Sequence, residues 1–176
     1  MEITTDLIKE LRELTSCGVI ECKKALEESA GDLQKAKAYL QKRGLEIAAK
    51  KGSRTAKEGR IESYLHSGNK IGVMLELNCE TDFVAKNEDF VRISKDIAMH
   101  IAAMNPKYVR REDIPEDVLK EQKDVNVFAK EVCLMEQPFV KEPGKTITDI
   151  INGIIASVGE NIQVGRFIRY KVNESE

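Results

Sequence analysis

"RIESYLHSGNKIGVMLELN", residues 60 to 78, decides the fold. Its two arms alternate apolar and polar residues around "SGN" (67 to 69), with Ile71, Val73, Leu75 and Leu77 on one face, so the stretch predicts an antiparallel hairpin. A hairpin buries only one face and has to be covered by other elements. The surrounding residues supply them. From Asp89 to Met104, Phe90, Ile93, Ile97, Ile101 and Met104 recur at spacings of three and four, which predicts an amphipathic helix ending before Pro106. A second helix is expected from Pro115 to about Met135, then a Pro- and Gly-marked loop at "QPFVKEPGKT" (137 to 146). "ITDIINGIIASVG" (147 to 159) reads as a shorter helix and "QVGRFIRYKV" (163 to 172) as a closing strand. Strands and helices are segregated rather than alternating, so the class is α+β.

Upstream of the hairpin the pattern is helical from Thr4 to Gly44. Leu7, Ile8, Leu11 and Leu14 form one stripe, Cys22, Ala25 and Leu26 a second, and Leu33, Ala36 and Leu40 a third. "SCG" (16 to 18) and "AGD" (30 to 32) interrupt the periodicity, Asp32 is placed to cap the third helix, and Gly44 to close it in a left-handed conformation. Helices this short are marginal alone and must pack as a three-helix bundle. "KKGSRTAKEGR" (50 to 60) then loses all periodicity and gathers Gly, Ser and charge, the composition of a mobile connection. The expected organisation is a helical domain over 1–50, a flexible linker over 51–59, and over 60–176 an α+β core of antiparallel strands packed with helices.

Composition narrows the function. Lys plus Arg number 28 and Asp plus Glu 30, so the basic excess of a nucleic-acid binder is missing and protein partners fit better. Cys17, Cys22, Cys79 and Cys133 have no C-x-x-C spacing, lie in apolar or helical patterns, and read as reduced thiols of a cytoplasmic protein. With His66 and His100 as the only histidines, no metal-ligand spacing occurs, and neither a metal nor a cofactor is expected. "EITTDLIKE" after Met1 lacks a basic leader or an apolar run, and no segment approaches the ~20 apolar residues of a membrane span. Cys-His, Ser-His and GxxxxGK[ST] arrangements are missing too, so nothing points to bond chemistry.

The aromatic in "LNCETDFVAKN" (77 to 87) needs its own explanation, because Phe83 stands among Glu80, Thr81, Asp82, Lys86 and Asn87. Phe83 lies seven residues before Phe90 and fourteen before Ile97, so one continuous helix would make it a core residue. An N-cap at Thr81 or Asp82 would instead place it in a first helical turn, where side chains project past the body of a domain. His100, between Met99 and Ile101, reads by default as a satisfied core histidine. Val19 and Ile20 are either bundle core or surface, and Arg12 suits a solvated helix face.

"NCETDFVAKN" resembles the signature of the bacterial elongation factor Ts family. The resemblance extends in order through "LIKELRELTSCGVIECKKALEESAGDLQKAKAYLQKRG" (7 to 44), "MHIAAMNP" (99 to 106), "QPFVKEPGKT" and "GENIQVGRFIRYKV" (159 to 172). It implies an exchange factor that releases GDP from the translational GTPase elongation factor Tu without bond chemistry. Under it, Thr81, Asp82, Phe83 and Val84 form the working tip, with the aromatic inserted between helices of the GTPase to disturb its magnesium ion and phosphate loop. The front helices resemble a ubiquitin-associated bundle that docks on the GTPase's nucleotide domain through Arg12, Val19 and Ile20. Ile71, Gly72 and His100 match further contacting positions of the family.

Three departures accompany the resemblance. Val19-Ile20 stands where the family often has Met-Met, Gly165 stands where it often has arginine, and "TDFVAKN" runs almost directly into "MHIAAMNP" where longer members carry a second core half. The short form of the family is similar in that respect and pairs two chains, which implies a homodimer engaging two GTPases, with no direct nucleic-acid or membrane contact. The rival reading is an interaction adaptor whose ubiquitin-associated-like bundle binds a protein surface without exchange activity.

Overall fold

The computed structural model describes residues 3–15 and 17–174. Ser16 of the expected "SCG" break, and Met1 and Glu2 at the head of the stretch inspected for a leader, lie outside them. The chain forms two compact units: one takes the residues up to Arg54 together with Asn152–Asn161, the other Thr55–Ile151 and the chain from Ile162 onward.

The first unit contains helices α1 (Thr5–Thr15), α2 (Val19–Glu28) and α3 (Leu33–Lys51). Leu11, Cys22, Ala25, Leu26, Ala36 and Leu40 form its core, with Leu7, Ile8 and Leu33 packed on the edge. Leu14, expected in the first stripe, is exposed. Asp32 caps α3 as expected, its carboxylate accepting from the backbone N–H of Gln34 at 2.9 Å and of Lys35 at 3.0 Å. Gly44 does not close the helix; it sits inside α3 and is buried, because α3 continues seven residues further to Lys51. A Cβ at Gly44 would stand 3.2 Å from the Cβ of Ala156, so the glycine serves a close approach between α3 and Asn152–Asn161.

That segment also holds the stretch read as a mobile connection. Lys51 donates to the carbonyl of Gly159, and the buried Asn161 side chain donates to the carbonyl of Arg54 at 2.6 Å. With α3 reaching Lys51 and the first strand starting at Glu58, only residues 52 to 57 lie between regular elements.

The second unit is built on the predicted hairpin, β1 (Glu58–Leu65) and β2 (Ile71–Cys79), with β5 (Gln163–Lys171) on the other side of β2, all antiparallel. Val73, Leu75, Leu77 and Cys79 are buried. Against them lies α5 (Glu88–Met104), which Asn87 caps and Asn105, in the left-handed region at φ 51°, ends before Pro106. The buried face of α5 runs through Phe90, Ser94, Ile97 and Ile101; Ile93 is only half-buried and Met104 exposed, against expectation. Ser94 faces the sheet because the inner side of β1 is polar: its hydroxyl lies 3.1 Å from the buried Glu62 carboxylate, which also pairs with Arg60 at 2.7 Å.

Two expectations about the middle of the chain are corrected. The helix expected from Pro115 to Met135 is broken into α6 (Glu116–Lys120) and α7 (Val125–Val132), flanked by 3-10 turns at Arg111–Asp113 and Leu134–Glu136. Asp124 makes the break by capping α7, accepting from Asn126 at 2.9 Å and Val127 at 3.1 Å. Arg111 clamps the two ends with two 2.8 Å hydrogen bonds to Glu136 and one of 2.9 Å to Asn126. "QPFVKEPGKT" is not an open loop but a small antiparallel hairpin of β3 (Pro138–Phe139) and β4 (Glu142–Thr146), leading into α8 (Ile147–Val158).

His100 fixes that hairpin. Its Nδ1 accepts from the backbone N–H of Val140 at 3.2 Å, which leaves Nε2 protonated and donating to Gln137 Oε1 at 3.0 Å. Burial pushes its pKa down from 6.5, while the Gln137 hydrogen bond opposes the shift. The folded state therefore holds a neutral imidazole, and the unfolded state takes up a proton first. Stability is full above the unfolded value near 6.5, declines below it by up to ~1.4 kcal/mol per pH unit, and the loss is complete once pH passes the lower folded value. Between pH 6.5 and 5.5 the unfolding free energy of His100→Gln should fall less steeply than that of the wild type. Equal slopes in denaturant titrations at the two pH values would remove His100 as the cause.

Candidate functional site

At the end of β2 the chain leaves the sheet through Glu80 and makes a single helical turn, α4 (Asp82–Ala85), before α5 begins. Local chemistry accounts for both boundaries. Thr81 has an extended backbone and caps the turn, its hydroxyl accepting from Val84 N–H at 3.5 Å, and the Cys79 thiol donates to the Thr81 carbonyl at 3.1 Å. Asn87 caps the next helix by accepting from Asp89 N–H at 2.9 Å. Two successive caps rule out one continuous helix from Phe83 to Ile97. The alternative that makes Phe83 a core aromatic fails with it: Phe90 is fully buried, whereas Phe83 is 81% exposed.

Asp82 is exposed as well. Its carboxylate accepts from Lys86 Nζ at 2.7 Å, and this hydrogen bond is the main reason its pKa lies below the usual aspartate value and that of Lys86 above the usual lysine value. Val84 is half-buried. The turn thus presents a carboxylate and an uncovered aromatic ring side by side, a surface feature with no packing function.

The remaining expected residues lie elsewhere. Ile71 and Gly72 open β2 and the tip follows its far end, about 25 Å away at ~3.3 Å per residue, so the two are not brought together. His100 is fully buried with both ring nitrogens bonded, and its side chain offers no surface in this conformation. In the first unit, Arg12 is exposed on α1, and Val19 and Ile20 are exposed in the first turn of α2, Ile20 by 71%, so neither belongs to the bundle core. The sequence reading missed Lys86. Its i, i+4 spacing from Asp82 was the available signal.

Among the described residues no group of three His, Cys, Asp or Glu side chains is arranged to hold a metal ion, and no helix is long and apolar enough to cross a membrane. Residues 4–127 match the family model described as Elongation factor TS. The elongation factor Ts of Thermodesulfovibrio yellowstonii is 50% identical, the alignment covering 100% of this chain and 99% of that protein. The proteins of the same name from Desulforamulus reducens and Geobacter sulfurreducens are each 47% identical, covering 98% and 99% of this chain and 90% and 91% of their own lengths. With the signature turn in place and the match running nearly end to end, the chain belongs to the elongation factor Ts family.

Proposed function

We propose that the protein is a guanine-nucleotide exchange factor of translation elongation that binds elongation factor Tu·GDP and promotes GDP release by inserting the Asp82-Phe83 tip. The observation that carries this reading is the exposure of Phe83 on a turn capped at both ends. A solvent-facing phenylalanine at a defined position is an unspent hydrophobic anchor. Burying ~150 to 250 Å² of aromatic surface at ~25 cal/mol/Å² yields at most about 4 to 6 kcal/mol. Spent on a nucleotide-free conformation with a disturbed magnesium and phosphate site, that energy must by reciprocity weaken nucleotide binding, at tenfold per ~1.4 kcal/mol. Arg12, Val19 and Ile20 supply a second contact, docking the ubiquitin-associated-like bundle on the GTPase's nucleotide domain. No bond is made or broken.

The same reading includes a homodimer, and the outer face of the three-stranded sheet supports it. Ile61, Leu65, Met74, Ile168 and Tyr170 all point outward and are exposed, while the inner side of β1 carries Arg60 and Glu62. An edge strand with its apolar residues outside is patterned for a sheet covered on both faces. A second copy would cover it, giving two chains per assembly and a contact site for one GTPase on each.

The deciding measurement is release of a fluorescent GDP analogue from elongation factor Tu. A catalytic amount of the protein should accelerate release at least about 100-fold, and excess GDP should dissociate the complex. An adaptor that merely bound the GTPase through its bundle would leave the release rate unchanged.

A further inference from the structure

Phe83 is 81% exposed, so little packing bears on its direction and the aim of the ring is set chiefly by the backbone of α4. A four-residue helix has almost no stability of its own, since nucleation costs more than one turn of hydrogen bonds returns. Something beyond propensity has to hold it. The Thr81 cap acts on its first turn, and at 3.5 Å it is a long hydrogen bond.

A further fastening comes from the opposite end. Lys86 is the C-cap residue of α4, and its side chain folds back over the whole turn to place Nζ 2.7 Å from Asp82 Oδ2. Acid before base at this spacing is the favourable order on a helix. A second carboxylate stands beside the same turn: Glu58 pairs with Cys79 in the β1–β2 register, and Cys79 is two residues before the Thr81 cap. α4 rests on β1 and β2 at this end of the sheet. The Glu58 charge adds to the stabilisation of the Lys86 ammonium, though less than Asp82 does.

We propose that Lys86 is a positioning residue for the tip, its ammonium bonded to Asp82 across α4 and lying in the field of Glu58 at the head of β1, and so fixing the direction in which Phe83 is presented. The inference rests on the exchange-factor reading for its functional consequence, but its structural content is independent of the partner. Lys86 acts on the order of the turn before any GTPase arrives. Exposed ion pairs are individually weak, so the effect is a modest enrichment of the competent orientation.

Two readouts test it. In the free protein, backbone order parameters over residues 81 to 86 should fall in Lys86→Met, which keeps the aliphatic stem, and fall in Glu58→Gln, while α5 is unaffected. In the release assay, Lys86→Met should lower the saturating rate about threefold, Glu58→Gln about twofold, and the double variant no further than Lys86→Met alone; Lys86→Arg should restore most of the loss. Unchanged order in both single variants would overturn the proposal. So would a slowed Lys86→Met beside a fully active Glu58→Gln, the pattern of a lysine that touches the GTPase directly. A wild type that fails to accelerate release would instead strike the exchange reading, and the order parameters would still decide whether Lys86 holds the turn.

Discussion

Phe83→Ala should slow the stimulated release of GDP about 30-fold or more while leaving the protein's own melting almost unchanged. The two halves of this expectation have separate origins. A side chain that is 81% exposed contributes little to its own fold, so unfolding free energy should stay within about 1 kcal/mol of wild type. Insertion into a partner, by contrast, uses the whole ring. If even half of ~4 kcal/mol, the lower end of the range for aromatic burial, is specific to the nucleotide-free complex, about 2 kcal/mol is lost on truncation, and at tenfold per ~1.4 kcal/mol the rate falls about 30-fold. Affinity for the GTPase should drop less, because Arg12, Val19 and Ile20 would still be available. Stopped-flow release and a denaturant titration on the same preparation separate the outcomes. Wild-type melting together with wild-type release would remove Phe83 from the mechanism.

The sequence specified the elements around this site better than it specified their closures. β2 and α5 were legible because each carries a period of two or 3.6 against one buried face, and β1 and β5 because residues of β-branched, aliphatic and aromatic type alternate with polar ones along them. What periodicity could not show is what glycines and short polar residues do in three dimensions. Gly44 reads as a helix stop, yet it allows Ala156 to approach α3; Gly59 reads as linker composition, yet a Cβ there would fall 2.4 Å from the Leu77 carbonyl across the β1–β2 pair. Both serve contacts with residues distant in sequence. Asp124 was invisible as a breaker because the apolar spacing continues on either side of it, and the cap decided between one helix and two.

Phe83 illustrates the same limit at the site. Its spacing from Phe90 and Ile97 is that of a core stripe, and only the Thr81 and Asn87 caps, each a single hydrogen bond, turn that stripe off before Phe90. The family resemblance assigned the tip on motif, and the exposure of the ring supplies a physical reason for an aromatic in a polar turn. His100 went the other way: the resemblance offered it as a contact, whereas its two hydrogen bonds and complete burial match the reading from hydropathy alone.

The dimer offers the second large effect. Met74 lies on the central strand of the sheet, in register with Ser63 on one side and Ile168 on the other, and its side chain is exposed on the outer face. If two copies cover each other's outer faces about a two-fold axis, Met74 is buried twice in one interface. The wild type should then behave in light scattering as a particle of twice the 19.8 kDa chain at micromolar concentration. In Met74→Glu, two carboxylates would enter the same apolar contact, each costing several kcal/mol without a partner. A dimer that forms at micromolar concentration is held by roughly 8 kcal/mol, and two unpaired carboxylates at several kcal/mol each offset it, so this substitution should shift the variant entirely to monomer. Within one chain the glutamate would remain solvated, and far-ultraviolet circular dichroism should keep its wild-type form. Because the tip lies on α4 and not on this face, the monomer should still release GDP, at a rate per chain within about threefold of wild type, the difference reporting any help one subunit gives the other. A wild type that scatters as a monomer, or a Met74→Glu variant that remains dimeric, would show that the apolar outer face is covered by something other than a second copy.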